Sequence, residues 1–444
     1  MTTAPVSSPP AAPLALLNGR IVDGTGADPI EDGFVRLDDG RITEVGPMSA
    51  YRPRDRARTV ELAGRTVLPG LIDCHVHLVY AGFRSLEEID RCPVESAAIN
   101  ATLNARKILE AGYTTVRDVG TIGNVAVAVR DAIAAGKLAG PRVMASGRII
   151  GPTSGMVDAL PAHWETREGL GVIVDGPDAV VREVRRQIKD GVDNVKLGAS
   201  GVEVGAYAYT WMTTMSAEEI AAAVAEAHRW GRTVAVHCQS YDAAKFALRA
   251  GADTIEHGTR LDEEAIALFR AGSAALVPTL STLFSVLELG EALNLNPKQR
   301  AEMAVNERLW LDSLQAAHEA GIPIGAGADI GNRYPHGANA RELELLVRAG
   351  LTPMAAIEAA TGRAARILGK AAHVGTLRPG TFADVLVVDG DPLADIAVLQ
   401  RPENIWMVLL EGRQVAGSAD GLANLPPPGE PFPLTMWPRV EPRG

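Results

Sequence analysis

The sequence has few cysteines, few aromatic residues and no excess of positive charge. Three cysteines among 444 residues cannot build a disulfide framework, and a small odd number of them is typical of a reducing compartment. No apolar run approaches the roughly 20 residues that a membrane span needs. The N-terminus has no basic segment before its proline-broken apolar stretch, which argues against a signal peptide. We therefore expect a cytoplasmic protein.

The charge balance bears on the kind of partner. The chain has 43 Lys and Arg against 54 Asp and Glu, a net charge of −11. Nucleic acids and anionic membranes attract cationic surfaces, so we expect neither as a partner. With 47% apolar residues, the chain can bury a large core, which excludes disorder over most of its length. Its 45 glycines suit a fold with many tight turns.

Both ends of the chain show short strand patterns separated by turn signals, without a helical period. Asn18–Gly19 and Asp39–Gly40 are dipeptides that favour β-hairpins. Because similar segments return near the C-terminus, we predict one small β-sandwich domain assembled from both ends. The predicted regions are a disordered segment 1–11, the first part of the sandwich 12–66, a central domain 67–372, the second part of the sandwich 373–420, and a Pro-rich irregular tail 421–444.

The central region alternates apolar runs with amphipathic helical patterns. One helix is predicted to begin at Ser216–Glu219, which reads SAEE and is typical of a capping box. Eight such runs over about 300 residues indicate a (β/α)8 TIM barrel of the α/β class. A doubly wound open sheet is the alternative, but no G-x-G-x-x-G follows the first run. The runs span 66–78, 114–120, 141–147, 194–199, 233–238, 254–258, 275–280 and 322–329.

Polar residues fall within or at the ends of five of these runs. Active sites of TIM barrels lie at the carboxyl ends of the strands, so these side chains should converge. The i, i+2 spacing of His75 and His77 puts both imidazoles on one face of a strand. A metal is the economical partner for so many buried polar groups. The residues are His75, His77, Lys196, His237, His257 and Asp329.

Each of these residues alone has an ordinary explanation. A single strand-end histidine is more often a core or surface residue than a ligand, Lys196 could extend its amine to water, and Asp329 could cap the next helix. Six such residues at matching positions on five strands are not explained by separate structural roles. The set favours a metal-dependent active site.

The motifs LPGLIDCHVHL, TTVRDVG, NVKLGASG, VAVHCQS, TIEHGT, GAGADIG and AATGRAARILG resemble the amidohydrolase superfamily. The resemblance covers about residues 13–415. It is strongest to the imidazolonepropionase/prolidase-like branch, which includes Xaa-dipeptidases, N-acyl-amino-acid carboxypeptidases and ochratoxin-type amidases. By this resemblance His75, His77 and Asp329 would hold one divalent metal, and His237 and His257 a second. Lys196, carrying a CO2-derived carbamate, would bridge the two, and the protein would be a homo-oligomer.

A ligand set of imidazoles and oxygens without thiolate suits Zn2+, with Co2+ or Mn2+ as alternatives. The resemblance implies a hydrolase that attacks its substrate with a metal-bridging hydroxide, and Asp329 is the candidate base that passes the proton to the leaving nitrogen. Some relatives keep the fold as a non-catalytic scaffold after losing ligands. Because all six ligand positions are filled here, we predict an enzyme.

Two departures from the family pattern concern the substrate. Met156 stands where carboxypeptidase-like relatives have a histidine that contacts the substrate carbonyl, and Gln239 stands where they often have a tyrosine. His163, a few residues after Met156, could replace the missing histidine, or it could be an ordinary exposed loop residue.

Aromatic residues cluster after the fourth run. Tyr207, Tyr209 and Trp211 could form a wall over an apolar substrate, or the loop could pack on its own side chains. Arg333 and His336 could reach the leaving group from the loop after Asp329. We therefore expect a small-molecule substrate with an amide-type C–N bond, such as an apolar N-acyl or aryl amide. Xaa-dipeptidase or prolidase-like carboxypeptidase activity, or hydrolysis of a carbamate, urea or lactone, are the alternatives.

Overall fold

The computed structural model describes residues 13–54, 57–164, 168–203, 205, 207–289, 297–419 and 431–438. The predicted disordered segment 1–11 lies outside these residues, as does most of the predicted tail 421–444. Within the described parts of the chain, no helix combines the length and apolar character needed to cross a membrane.

The N-terminal region forms strands, as its turn signals predict. Asp39 and Gly40 join the second and third strands with φ of 47° and 70°, the left-handed pair of a tight hairpin. The hairpin predicted at Asn18–Gly19 is wrong, because these residues lie inside the first strand at a register shift, and Asn18 has φ 58°. The strands are β1 Leu14–Ile21, β2 Ile30–Asp38, β3 Arg41–Pro47, β4 Arg58–Glu61 and β5 Thr66–Pro69.

The central strands pair in parallel, in the orders β6-β7-β8 and β10-β9-β11-β12-β13-β14. Seven of the eight predicted runs contain a strand of these two sheets, whereas β9 and β10 have no counterpart among the runs. The strands are β6 Leu71–Val76, β7 Tyr113–Asp118, β8 Arg142–Met144, β9 Ile149–Gly151, β10 Gly171–Ile173, β11 Asn194–Gly198, β12 Thr233–Cys238, β13 Thr254–His257 and β14 Ala275–Val277.

The eighth predicted run, 322–329, does not form a regular strand. It makes only an isolated parallel bridge from Ile324 to Leu276. Its backbone nevertheless bonds on both sides: Gly325 N donates to Leu276 O at 2.9 Å, and Ala326 O accepts from Cys74 N at 2.8 Å. The segment therefore lies between β14 and β6, although too few bonds repeat to make a ladder.

Helices alternate with the parallel strands, which places the chain in the α/β class. The predicted capping box is confirmed, since Ser216 and Glu219 exchange side-chain and backbone hydrogen bonds at the start of a helix. The helices are α1 Leu86–Asp90, α2 Val94–Glu110, α3 Val125–Ala134, α4 Pro177–Asp190, α5 Ala217–Arg229, α6 Tyr241–Ala250, α7 Glu263–Ala271, α8 Leu280–Leu289, α9 Pro297–Glu319, α10 Arg341–Arg348, α11 Pro353–Ala359 and α12 Gly362–Ile367.

The C-terminal strands complete the sheet begun by the N-terminal ones. These strands are β15 Val385–Val388, β16 Ile405–Leu410 and β17 Arg413–Ala416. The sheet order is β17-β16-β15-β5-β1-β2-β3, with β4 paired to β1, so both chain ends build one sheet. A bridge from Arg41 to Phe382 brings β3 back towards β15, and side chains from β1 to β5, β15 and β16 share one apolar core. Because β5 belongs to it, this sheet extends to Pro69.

The described part of the tail packs on the rest of the fold. Trp437 is buried, and Leu434 N bonds to Ala134 O at the end of α3. Arg142, buried in β8, donates to Thr435 O at 3.0 Å and to Glu411 at 2.7 Å, and it also contacts Asp384. One arginine thus links the central strands, the sheet of the chain ends and the tail.

Candidate active site

The carboxyl ends of the parallel strands surround a cavity that opens to solvent. Parallel strands end at one edge of their sheet, so polar residues at these ends meet there. All six residues that the sequence analysis selects line this cavity and are largely buried. They are His75, His77, Lys196, His237, His257 and Asp329.

Three of these side chains offer closely spaced ligand atoms. Asp329 Oδ1 lies 3.7 Å from His75 Nε2 and 3.5 Å from His77 Nε2. The ligand atoms of the three residues all lie within 4.8 Å of one another, and in the described ranges this is the one group of three or more His, Cys, Asp and Glu residues that could hold a metal ion. Two imidazoles and a carboxylate form a donor set suited to a divalent cation.

A buried ion pair holds the ring of His75. Its Nδ1 lies 2.6 Å from Glu256 Oε2, and Glu256 Oε1 accepts from Arg117 Nη2 at 2.8 Å. Arg117 also donates to Cys74 O at 2.7 Å and to Thr254 Oγ1 at 2.9 Å. A histidine whose Nδ1–H is bound to a carboxylate presents Nε2 as the ligand atom, which here is the nitrogen nearer Asp329.

The other three imidazoles are each oriented by one hydrogen bond and so present the opposite ring nitrogen to the cavity. Burial lowers the pKa of His77 and His237 to about 3, and it lowers the pKa of His75 and His257 well below the usual value, so the rings are neutral and able to act as ligands. The orienting bonds join His77 Nδ1 to Gly120 O at 2.8 Å, His237 Nε2 to Gly201 O at 3.0 Å, and His257 Nδ1 to Thr279 Oγ1 at 2.6 Å.

Lys196 is the most unusual residue of the cavity. It lies in the middle of β11, its side chain is 1% exposed, and Nζ has no hydrogen-bond partner among the described residues. Burial lowers the pKa of this amine to about 8, which raises its neutral fraction near neutral pH well above that of an exposed lysine. An amine buried without a partner is costly, and it fits a site where a bound or covalently added group completes its environment.

The backbone is strained at three points on the cavity edge: at the end of β13, just after β14 and at the end of the segment 322–329. His257, Thr279 and Asp329 have φ of 69°, 51° and 47°, a left-handed region that residues other than glycine seldom adopt. Thr282 Oγ1 donates to Asp329 Oδ2 at 2.8 Å, and burial raises the pKa of Asp329 to about 6. A carboxylate with a raised pKa can accept and release a proton near neutral pH.

The predicted substrate residues divide into two groups. Met156, Gln239 and Arg333 line the cavity. His163 does not, because it is exposed on its loop beside Trp164, with ring centroids 6.3 Å apart.

The aromatic residues after β11 also lie away from the cavity lining. Tyr207 and Trp211 are 50% and 59% exposed, and Tyr209 is half-buried. Gly201 N donates to Met212 O at 3.0 Å across the loop that carries them, and none of the three rings is on the cavity lining. His336 is buried beside Gly331, next to the cavity but not on its lining. The structure therefore does not bring Tyr207, Tyr209 and Trp211 to the cavity lining, and it places His336 just behind that lining.

Apart from Met156, the apolar wall comes from residues that the sequence analysis does not select. Tyr80 stacks on His77 with ring centroids 4.3 Å apart. Tyr80 and Phe83 follow the His75–His77 motif so closely that their position alone could have indicated a role at the site. The apolar and aromatic side chains of the lining are Tyr80, Phe83, Leu86, Ile89, Ile149, Met156, Leu170, Val202, Ile330 and Tyr334.

Comparison with known proteins places this site in a family. The profile described as "Amidohydrolase family" matches residues 66–415, most of the chain and the whole of the candidate site. The chain belongs to the amidohydrolase family. This amidohydrolase is accordingly a hydrolase, and its His75, His77 and Asp329 cluster agrees with the use of divalent metals in the family.

Several relatives are similar over most of their length. Ochratoxinase from Aspergillus niger is 32% identical over 432 residues, which covers 91% of this chain and 86% of the relative. The structure of a Xaa-Pro dipeptidase with methionine bound in its active site is 31% identical, with a TM-score of 0.82, covering 91% of this chain and 99% of the other. A structure from Bifidobacterium longum is 33% identical, with a TM-score of 0.78, covering 92% of this chain and 95% of the other. These likenesses confirm the predicted branch of the superfamily.

Proposed function

We propose that this amidohydrolase cleaves an amide-type C–N bond in a small molecule with the help of two divalent cations. His75, His77 and Asp329 would hold one cation, and His237 and His257 the other. Lys196, as an Nζ-carbamate, would contribute an oxygen to each. The observation that carries the proposal is the Lys196 amine, buried among these ligands without a partner of its own.

The donor set supports this assignment. Four neutral imidazoles and one carboxylate converge on the buried end of the cavity, and none of the described lining residues is a cysteine. Such ligands suit Zn2+, with Co2+ or Mn2+ as alternatives. Bound cations would supply Lewis acidity for the scissile carbonyl and a lowered pKa for a bound water.

The protein side chains would handle the proton and orient the substrate. Asp329 keeps Oδ2 on Thr282 while Oδ1 faces His75 and His77, so its carboxylate has a fixed orientation. It would accept the proton of the attacking water and deliver it to the leaving nitrogen. The apolar walls would exclude other water molecules and bind the acyl or aryl part of the substrate.

We also propose a specific fold for the central part of the chain. The two parallel sheets and the segment 322–329 would form one (β/α)8 barrel, with the sheet of the chain ends beside it. Hydrogen bonds from this segment to both Leu276 and Cys74 support closure on one side, and the bond from Asp193 N to Ala145 O at 2.7 Å links β8 towards β11 on the other.

The cavity supports an apolar N-acyl or aryl amide as the substrate. Tyr80, Phe83 and Met156 line it, and no histidine lies at position 156. The names of the relatives include both ochratoxinase and Xaa-Pro dipeptidase, so a prolidase-like carboxypeptidase remains the second candidate. Carbamates, ureas and lactones could use the same site. Cytoplasmic location and homo-oligomeric assembly stay predictions.

A hydrolysis screen of the metal-loaded protein tests the proposal. The panel contains N-acyl amino acids, dipeptides, anilides, carbamates and lactones, and the Lys196→Ala variant is the control for each activity. We expect turnover of apolar amides that is lost in the variant. Activity confined to dipeptides would reverse the order of the two candidates. Less than about one equivalent of tightly bound metal together with unmodified Lys196 would favour a non-catalytic scaffold.

A further inference from the structure

One corner of the cavity is polar and takes no part in the proposed metal ligation. It is formed by Glu203, in the loop after β11, and by Gln239, which follows β12 two residues after His237. The two residues are 5% and 1% exposed. Gln239 N donates to Ser200 Oγ at 2.8 Å, which fixes the backbone from which the Gln239 side chain extends.

The amide of Gln239 has an acceptor without a donor. Its Nε2 donates to Glu203 Oε2 at 3.3 Å, whereas Oε1 has no partner among the described residues. The opposite amide orientation would place Oε1 against the Glu203 carboxylate, two acceptors in contact. The observed orientation is therefore the favourable one, and it leaves a buried carbonyl oxygen that needs a donor.

Glu203 also has unused acceptor capacity. An ionised carboxylate can accept about four hydrogen bonds. In the described structure its side chain receives two long ones, from Gln239 and from Arg333 Nη2 at 3.5 Å. Well-formed charge-assisted bonds are about 2.7–2.9 Å long. Arg333 is loosely held in general, since its contacts with Thr282 O and Ser285 Oγ are 3.5 and 3.4 Å.

We infer that Glu203 and Gln239 form a subsite for a substrate nitrogen that bears at least two hydrogens, such as a terminal amide or urea NH2 or an ammonium group. Two N–H donors of one nitrogen would satisfy Gln239 Oε1 and a free lone pair of Glu203. A substrate carboxylate would instead meet the negative charge of Glu203. The inference rests on the proposed function only in treating the bound group as part of the substrate.

Binding of matched probes to the metal-loaded protein tests the subsite without requiring turnover. 3-Phenylpropanamide and 4-phenylbutan-2-one have the same shape and the same carbonyl, but only the amide bears N–H groups. 3-Phenylpropanoate is the anionic member of the set. Ligand-observed NMR measures the affinities and shows whether each probe stays intact. We expect the amide to bind roughly tenfold tighter than the ketone and tighter than the carboxylate.

Two variants test whether Gln239 and Glu203 cause the preference for the amide over the ketone. Gln239→Met keeps the side-chain length and removes the acceptor, so we expect it to lower amide affinity about fivefold and leave ketone affinity unchanged. Glu203→Gln removes the charge, and we expect weaker amide binding and stronger binding of 3-phenylpropanoate, because Arg333 loses its carboxylate partner. Glu87→Gln is the matched control, since Glu87 is half-exposed on α1 and is not part of the lining.

Equal affinity of the amide and the ketone for the unaltered protein would overturn the inference. An equal loss for both probes in the folded variants would do the same, because it would indicate a change in cavity shape. If 3-phenylpropanoate bound more tightly than the amide and Arg333→Gln abolished the difference, Arg333 would be the recognition group instead. Failure of the hydrolysis screen alone would leave these affinities unaffected, so the two proposals are tested separately.

Discussion

The ion pair behind His75 gives a prediction about both stability and metal binding. Glu256 is fully buried, and it contacts His75 Nδ1 at 2.6 Å and Arg117 Nη2 at 2.8 Å. The change Glu256→Gln keeps the shape and removes the charge. Among the described carboxylates only Glu256 pairs with Arg117, which is 1% exposed, so the variant leaves a buried guanidinium without a counter-charge.

Two magnitudes follow from this geometry. Removing one partner of a buried ion pair costs about 3–5 kcal/mol, and we expect a loss of this size in the free energy of unfolding of the metal-free protein. Without the carboxylate, His75 also loses the bond that selects its tautomer. Disrupting such a partner of a ligating histidine lowers metal affinity about 10- to 100-fold.

Urea unfolding of the metal-free protein and competition with a chelator measure the two effects. The double variant Glu256→Gln with Arg117→Met should recover much of the stability but not the metal affinity, since it removes the unpaired charge and not the defect at His75. Glu264→Gln is the control: its side chain is 54% exposed in surface ion pairs, so we expect less than about 1 kcal/mol. A Glu256→Gln protein with unchanged stability and unchanged metal affinity would refute the reasoning.

Four further substitutions test separate parts of the structure. Asp329→Asn should lower kcat at least about 100-fold with the fold intact by circular dichroism, and near-normal turnover would contradict its role as the base. Lys196→Met should leave the metal-free protein at least as stable in urea, because it removes a buried unpaired amine, while metal analysis should show less than the full two equivalents. Ser216→Ala should cost about 1 kcal/mol in urea unfolding without changing kcat, and a large loss of activity would be inconsistent with a capping role. Trp437→Ala should cost about 3–5 kcal/mol, whereas an unchanged unfolding midpoint would show that the tail does not contribute to stability.

The sequence predicts the inner end of the cavity well because strand geometry determines it. His75, Lys196 and His237 lie on regular strands, where position along the chain sets the direction of the side chain. The sequence analysis did not select Glu256, the charged residue that orients His75. Glu256 adjoins His257 in an apolar strand, and a buried carboxylate next to a candidate ligand is the signal that could have indicated it.

The rim of the cavity is less predictable, because loops have no such periodicity. Tyr207 and Trp211 are exposed and off the cavity lining, and the composition of their loop does not predict the backbone hydrogen bonds that shape it. The local sequence was also insufficient to predict the structure at Asn18–Gly19. This dipeptide favours left-handed backbone, but whether that backbone forms a hairpin turn or a bulge depends on the partner strand. A Cβ at Gly19 would lie 2.5 Å from Leu62 Cδ1, so glycine is needed there for packing as well.

The contacts of Arg142 have a consequence for the order of folding during synthesis. The guanidinium is fully buried in a central strand, and its acceptors come from Asp384, Glu411 and Thr435, which are 242, 269 and 293 positions later in the chain. A ribosome makes the arginine long before it makes these acceptors, and a buried cation without them is unfavourable. The strand that carries Arg142 therefore reaches its final environment only after nearly the whole chain has been released, and a truncation before Glu411 should expose it.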